Sequence, residues 1–238
     1  MSRSHPPAIV AVVTGSPPEA VTLADQAYAQ LKQLIFDFAL MPGDRCSESE
    51  LAQRLAISRT PLRQALQRLQ REGFVQVSPK IGWQVAPLDF DVFDELYDLR
   101  TLIECHAAQL LAEADPRPTL ASLADIWLAP EAERLADGAE VGRLDEQFHA
   151  RLVQGSGNRE MARVHRSITE RIRIIRRLDF TKTARVAATY DEHARILGAI
   201  TRRRADEAQR LLRAHIAQSK TEVRHITLDM LYRARRQA

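Results

Sequence analysis

Between residues 90 and 233 apolar side chains recur at the helical period through six successive windows, and no strand signal interrupts them. The cleanest window sets Met161, Val164, Ile168, Ile172, Ile175 and Leu178 on one stripe, spaced for a helix buried among other helices. Breaks at "DPRPT", "DGAE", "GSGN" and "FTKTA" divide the region into expected helices near 90–114, 119–137, 139–154, 159–179, 184–203 and 205–233. Long helices joined by short loops suit an antiparallel all-helical bundle. A 5% aromatic content and nine glycines agree with helices rather than a sheet sandwich. No apolar run approaches the roughly 20 residues that span a bilayer, so no membrane partner is expected. The early "AIVAVV" is too short for a signal-peptide core, and residues 1–23 read as a flexible tail. Cys46 and Cys105 form no CxxC pair, which makes a reduced, cytoplasmic setting the expectation.

Residues 24–87 have a different texture. "ADQAYAQLKQLIFDFAL" (24–40) is an amphipathic helix with Ala27, Leu31, Leu34, Ile35 and Phe38 on one face, stopped by "MPGD". "SESELAQRLA" opens with a capping box in which Ser47 meets the amide of Glu50 and the Glu50 carboxylate reaches back. In "ISRTPLRQALQRLQREG" Ser58 reads as N-cap, Pro61 sits in the tolerant first turn, Leu62, Ala65, Leu66 and Leu69 face inward, and Gly73 stops the helix. "FVQV" and "WQVA" around "SPKIG" alternate like a short β-hairpin. The expected fold is mainly α: a winged helix-turn-helix over 24–87, followed over 88–238 by an antiparallel bundle of six or so helices.

Such a motif reads double-stranded DNA by placing its second helix in the major groove. Arg59 and Arg63 lie four apart at the entering end, where arginine can fork onto guanine or hold phosphate. Ser58 and Thr60 offer hydroxyls to the backbone, Gln64 reaches toward a base edge, and Lys80 stands at the wing tip. Residues 26–86 carry eight Lys/Arg against five Asp/Glu, a modest net +3. An ordinary three-helix domain with a solvated basic face has the same pattern, so spacing alone leaves both readings standing. The run "LMPGDRCSESELAQRLAISRTPLRQALQRLQREGFVQVSPKIGWQV", with its PG turn, E-x-x-L-A helix, S-R-T-P-L-R-x-A-L core and wing glycine Gly82, resembles the reader of GntR-family bacterial transcription regulators. The resemblance implies DNA contacts by Ser58, Arg59, Thr60 and Arg63 and by the wing near Lys80. The chain departs from the family pattern at Ser49, where an arginine that touches DNA usually stands.

Three histidines share faces with apolar residues on separate expected helices. His149 accompanies Phe148 and Leu152, with Asp145 one turn before it; His193 lies with Val186, Tyr190, Leu197 and Ile200; His215 lies with Ala208, Leu211, Leu212 and Ser219. Each alone is ordinarily a satisfied core residue. Converging, three imidazoles and a carboxylate would suit one divalent ion, zinc or nickel first, but spacing does not bring the three helices together. Residues 90–233 resemble the all-helical FCD effector domain of the FadR branch of the same family. That resemblance implies D-x-x-x-H at Asp145 and His149, completed by His193 and His215. Arg100 matches an arginine of the domain's first helix. It either pairs with Glu104 or points into the cavity, where its fork can take an effector carboxylate. His106 and His165 read as structural, and most arginines of "RSITERIRIIRR" as a solvated flank.

A hydrolytic metalloenzyme would use similar ligands. The sequence has no HExxH and no nucleophile constellation, and Glu146 projects about 100° round the helix from Asp145. No catalytic residue is expected. The leading expectation is a homodimeric regulator, a repressor, binding an inverted repeat under control of a small organic acid seated near the metal. A regulator with a structural or sensed metal and no organic effector is the alternative.

Overall fold

The computed structural model describes residues 21–79, 82–115, 120–180 and 182–225, with 230, 231 and 236 beyond them. Most of the expected tail, and Lys80 at the wing tip, lie outside the described residues.

Helix α1 (Leu23–Phe36) starts at a capping box between Thr22 and Asp25. It buries Ala27, Leu31 and Ile35 but ends four residues before the expected boundary, because Phe38 turns into the left-handed region (φ 57°) and buries its ring. Helix α2 (Glu48–Leu55) has the expected capping box of Ser47 and Glu50. A left-handed Ala56 (φ 52°) makes the turn into α3 (Arg59–Arg71). Ser58 is the N-cap residue of α3, yet its side chain makes no capping bond. Leu62, Ala65, Leu66 and Leu69 of α3 are buried, and Gly73 (φ 83°) ends the turn after it. The wing is three-stranded rather than a bare hairpin: β1 (Arg45–Cys46) pairs with β3 (Gly82–Val85), which pairs with β2 (Val75–Ser78), all antiparallel. Two residues make too short a run for periodicity to register, so β1 went unseen in the sequence.

Among the described residues six α-helices follow: α4 (Phe90–Glu113), α5 (Ala121–Trp127), α6 (Gly138–Gly155), α7 (Arg159–Asp179), α8 (Thr183–Thr201) and α9 (Ala205–Arg224). The long helix expected over 119–137 is instead α5 and a 3₁₀ turn at Glu131–Glu133. Pro130, which the apolar period does not weigh, disfavours the helical region at the residue before it, and α5 ends at Trp127 with Leu128 as its cap. Helices α4 and α9 form the most extensive pair, and α6, α7 and α8 pack around them. The α7 stripe is buried at Ile168, Ile172, Ile175 and Leu178. A Cβ at Gly138 would stand 2.0 Å from the Phe180 carbonyl oxygen, so glycine there lets the start of α6 close on the end of α7. No helix among the described residues is long and apolar enough to cross a membrane.

Candidate metal centre and DNA-facing surface

Asp145, His149, His193 and His215 are all buried, and one donor atom of each falls within 4.8 Å of the others. Helix α6 supplies the first two one turn apart, and α8 and α9 bring His193 and His215 against them. Asp145 Oδ1 stands 3.4 Å from Nε2 of His193, 3.6 Å from that of His149 and 3.9 Å from that of His215. Four ligands about 2.0–2.2 Å from one ion stand roughly 3–3.5 Å apart, so the quartet is close to a coordination shell.

Tautomers follow from the outer partners. His149 Nδ1 is 2.5 Å from Glu104 Oε2 and His215 Nδ1 is 2.6 Å from Glu192 Oε2. A carboxylate can only accept, so both Nδ1 atoms carry hydrogen and both Nε2 atoms present lone pairs. Those two Nε2 atoms face each other at 3.1 Å. Burial holds His215 and His193 well below the usual imidazole range. Asp145 Oδ1 and both ring nitrogens of His193 have no hydrogen-bond partner. A divalent ion takes up the opposed lone pairs, Asp145 Oδ1 and one ring nitrogen of His193 together, so the residues fit one. His193 is clamped by stacking on Phe148 (3.7 Å between centroids, 7°) and by the edge of Trp127.

Burial alone would raise the Asp145 carboxyl, but the Arg176 guanidinium bonded to its Oδ2 and the nearby imidazoles hold it well below the carboxylate range. Burial likewise opposes ionised Glu104, and Arg100 and His149 overcome it. Arg100 Nε donates to Glu104 Oε1 at 2.6 Å, while its Nη1 and Nη2 are buried without a hydrogen-bond partner. The pair of Arg100 with Glu104 therefore forms, but in the core, with one edge of the fork left over. His165, read as structural, donates to the same Glu104 at 2.9 Å. Arg176 is an exception to the expected solvated flank, being 5% exposed. Sequence reasoning missed Glu192, Arg176 and Trp127 at this site. Glu192 adjoins His193 but serves His215 on the next helix, which no local spacing reveals. Glu146 is turned away into a two-pronged pair with Arg173.

At the other end of the molecule, Ser58, Arg59, Thr60, Arg63 and Gln64 are exposed or nearly so along the start of α3. Arg59 donates to Ser49 Oγ at 3.0 Å, and Arg63 forks onto Glu48 at 3.1 and 2.7 Å. Neither contact was foreseen.

Residues 23–85 match the model of bacterial regulatory proteins of the gntR family, and residues 95–218 match that of the FCD domain. The chain belongs to the GntR family. Its arrangement, a reader followed by an FCD domain, is consistent with the FadR-like branch. A relative described as the Nta operon transcriptional regulator of Aminobacter aminovorans is 36% identical over 175 residues, 74% of this chain and 82% of that one. The HTH-type transcriptional repressor RspR of Escherichia coli K12 is 25% identical over 84% of this chain and 89% of its own. A putative GntR regulator from Rhodococcus sp. RHA1 shares the fold, with a TM-score of 0.69 at 22% identity over 86% of this chain and 98% of that one. The protein is thus a transcriptional regulator with a DNA-binding helix-turn-helix and an FCD effector-binding domain, and members of its family are regulators rather than enzymes.

Proposed function

We propose that the protein is a homodimeric repressor whose operator binding is set by a small organic acid seated beside a divalent metal. Asp145, His149, His193 and His215 hold the ion, zinc or nickel first, in the domain spanning 88–238. The reader over 24–87, following a tail at 1–23, meets an inverted repeat through Ser58, Arg59, Thr60, Arg63, Gln64 and Lys80. The observation that carries the metal reading is the pair of imidazole lone pairs opposed at 3.1 Å beside the unpartnered Asp145 Oδ1 and His193 Nε2. The acid reading rests on Arg100, whose two terminal nitrogens are buried without a hydrogen-bond partner and can fork onto a carboxylate. The repressor RspR among the relatives favours repression over activation. A role in transcription supports a cytoplasmic location, beside the DNA.

Elemental analysis tests the metal. Wild type purified without chelator and offered zinc, nickel and manganese in turn holds about one ion per chain, and His149→Ala and His215→Ala hold far less. Equal content in all three proteins makes the cluster a polar core and ends the reading. Carboxylic acids then raise the melting temperature of the loaded protein more than that of the stripped protein, because the ion supplies part of their site.

A further inference from the structure

The first turn of α2 faces the first turn of α3, and it is acidic where a DNA-binding surface is expected to be basic. Glu48, the first residue of α2, accepts from Arg63 Nε at 3.1 Å and from Arg63 Nη2 at 2.7 Å. Its Oε1 also accepts from Trp83 Nε1 of β3, at 3.3 Å. Trp83 is buried, so the carboxylate is tied to the rigid part of the wing rather than to a mobile side chain. The Glu48 side chain is 22% exposed and that of Arg63 59% exposed, so the pair lies open on the DNA side with its acid recessed.

A guanidinium has two edges that can fork. The Nε–Nη2 edge of Arg63 is occupied by Glu48. The end-on edge, made by Nη1 and the second Nη2 hydrogen, is not used by Glu48, and on a side chain 59% exposed this edge can meet O6 and N7 of a guanine at once. A lone arginine on a helix surface samples many rotamers and binds phosphate as readily as a base. An arginine braced along one edge loses that freedom before binding and presents a planar fork in one direction. A carboxylate beside the phosphates also repels the backbone, so it lowers affinity for DNA of any sequence while its partner gains at the right base.

We propose that Glu48 is a specificity-determining positioning residue: fixed by Trp83, it aims Arg63 at one guanine of the operator and weakens binding elsewhere. The proposal rests on Arg63 acting as a base reader. Arg59 is held in the same manner, more weakly, by the hydroxyl of Ser49, so the first turn of α2 braces both arginines of the recognition helix.

The test is selection of preferred duplexes from a random pool at fixed salt, followed by affinity measurement on the selected motif and on random duplex. Arg63→Ala loses preference at one base pair by about tenfold or more. Glu48→Gln, which keeps the shape and removes the charge, relaxes the same base pair and binds random duplex more tightly than wild type, so selectivity falls several-fold to about tenfold. The double variant is no less selective than Arg63→Ala alone, because Glu48 acts through Arg63. Trp83→Phe, which keeps the packing and removes the indole donor, relaxes that base pair to a smaller extent. If Arg63→Ala loses the preference while Glu48→Gln selects the wild-type motif with wild-type selectivity, the positioning role is wrong and the reader assignment stands. If Glu48→Gln relaxes a different base pair, Glu48 itself reads a base and the proposal is overturned. If Arg63→Ala changes nothing, the base contact assigned to Arg63 and this proposal fall together.

Discussion

Asp145 meets the guanidinium of Arg176 with one oxygen and, with the other, faces the space shared with three imidazoles. Ionised in either case, it serves as a ligand without needing to lose a proton. The imidazoles decide how the site responds to acid. Burial, above all other causes, lowers His193 and His215 below the 6.5 of a free imidazole. The unfolded chain therefore takes up protons at these positions before the folded chain does. Stability rises with pH across that window, so their contribution is complete above about 6.5 and lost progressively below it. Ligation also requires the unprotonated ring, so ion retention falls in the same direction. Melting temperature of the stripped protein and metal content of the loaded protein, followed from about pH 8 to pH 5, should both decline below about pH 6.5. A melting temperature flat between about pH 7.5 and 5.5 would contradict the linkage.

Helix α7 carries the connection between site and reader. One side holds Arg176 against Asp145, and Arg173, a turn earlier, grips Glu146, the neighbour of that ligand. The other side meets α1: Glu170 accepts from Lys32 at 2.8 Å, Arg177 donates to Asp37 at 2.7 Å, and Arg173 lies over the Phe36 ring at 5.2 Å. Lys32 also donates to Glu72 (3.0 Å), the cap residue that ends the recognition helix. Since Asp145 and Glu146 are consecutive, α6 grips two successive turns of α7 through them, and under the proposed function this is the route by which metal or acid binding reaches the reader. The combined variant Glu170→Gln with Arg177→Gln should leave metal content unchanged and shrink the difference in DNA affinity between loaded and stripped protein. That difference is expected to be roughly 1–3 kcal/mol in wild type, read by fluorescence anisotropy of a labelled operator; the same difference in the variant would exclude this route. The links between α1 and α7 join residues more than a hundred apart, so no window of sequence contains them. The end of α1 at Phe36 and the split of the 119–137 window at Pro130 were lost for a nearer reason. The apolar period ran on through Phe38 and across "LAPEAE" while backbone torsion had already left the helix.

At the scale of the whole molecule, the reader and the bundle meet across α1 and α7 and enclose a cleft of about 400 Å³ lined by residues such as Phe74, Leu88, Phe93 and Ile174. One recognition helix covers one half-site, so two-fold operator symmetry calls for a dimer. Light scattering should give twice the 26.9 kDa chain mass, and the selected motif should be an inverted repeat. Operator affinity should fall with salt by a slope of about 0.9 per phosphate contacted; a monomer at micromolar concentration or a salt-independent affinity would set the proposal aside. By itself the sequence determined the reader and the run of helices after residue 90, because a capping box and a 3.6-residue stripe are written in neighbouring residues; it wrote Asp145 and His149 one turn apart, and only the family resemblance joined His193 and His215 to them. Only the tertiary structure decided that His193 and His215 reach the Asp145–His149 pair, that Glu104 and Glu192 fix the tautomers, and that Glu48 braces Arg63. Those pairings depend on how separate elements pack, and a carboxylate's partner is set by distance in space, which the order of residues along the chain does not encode.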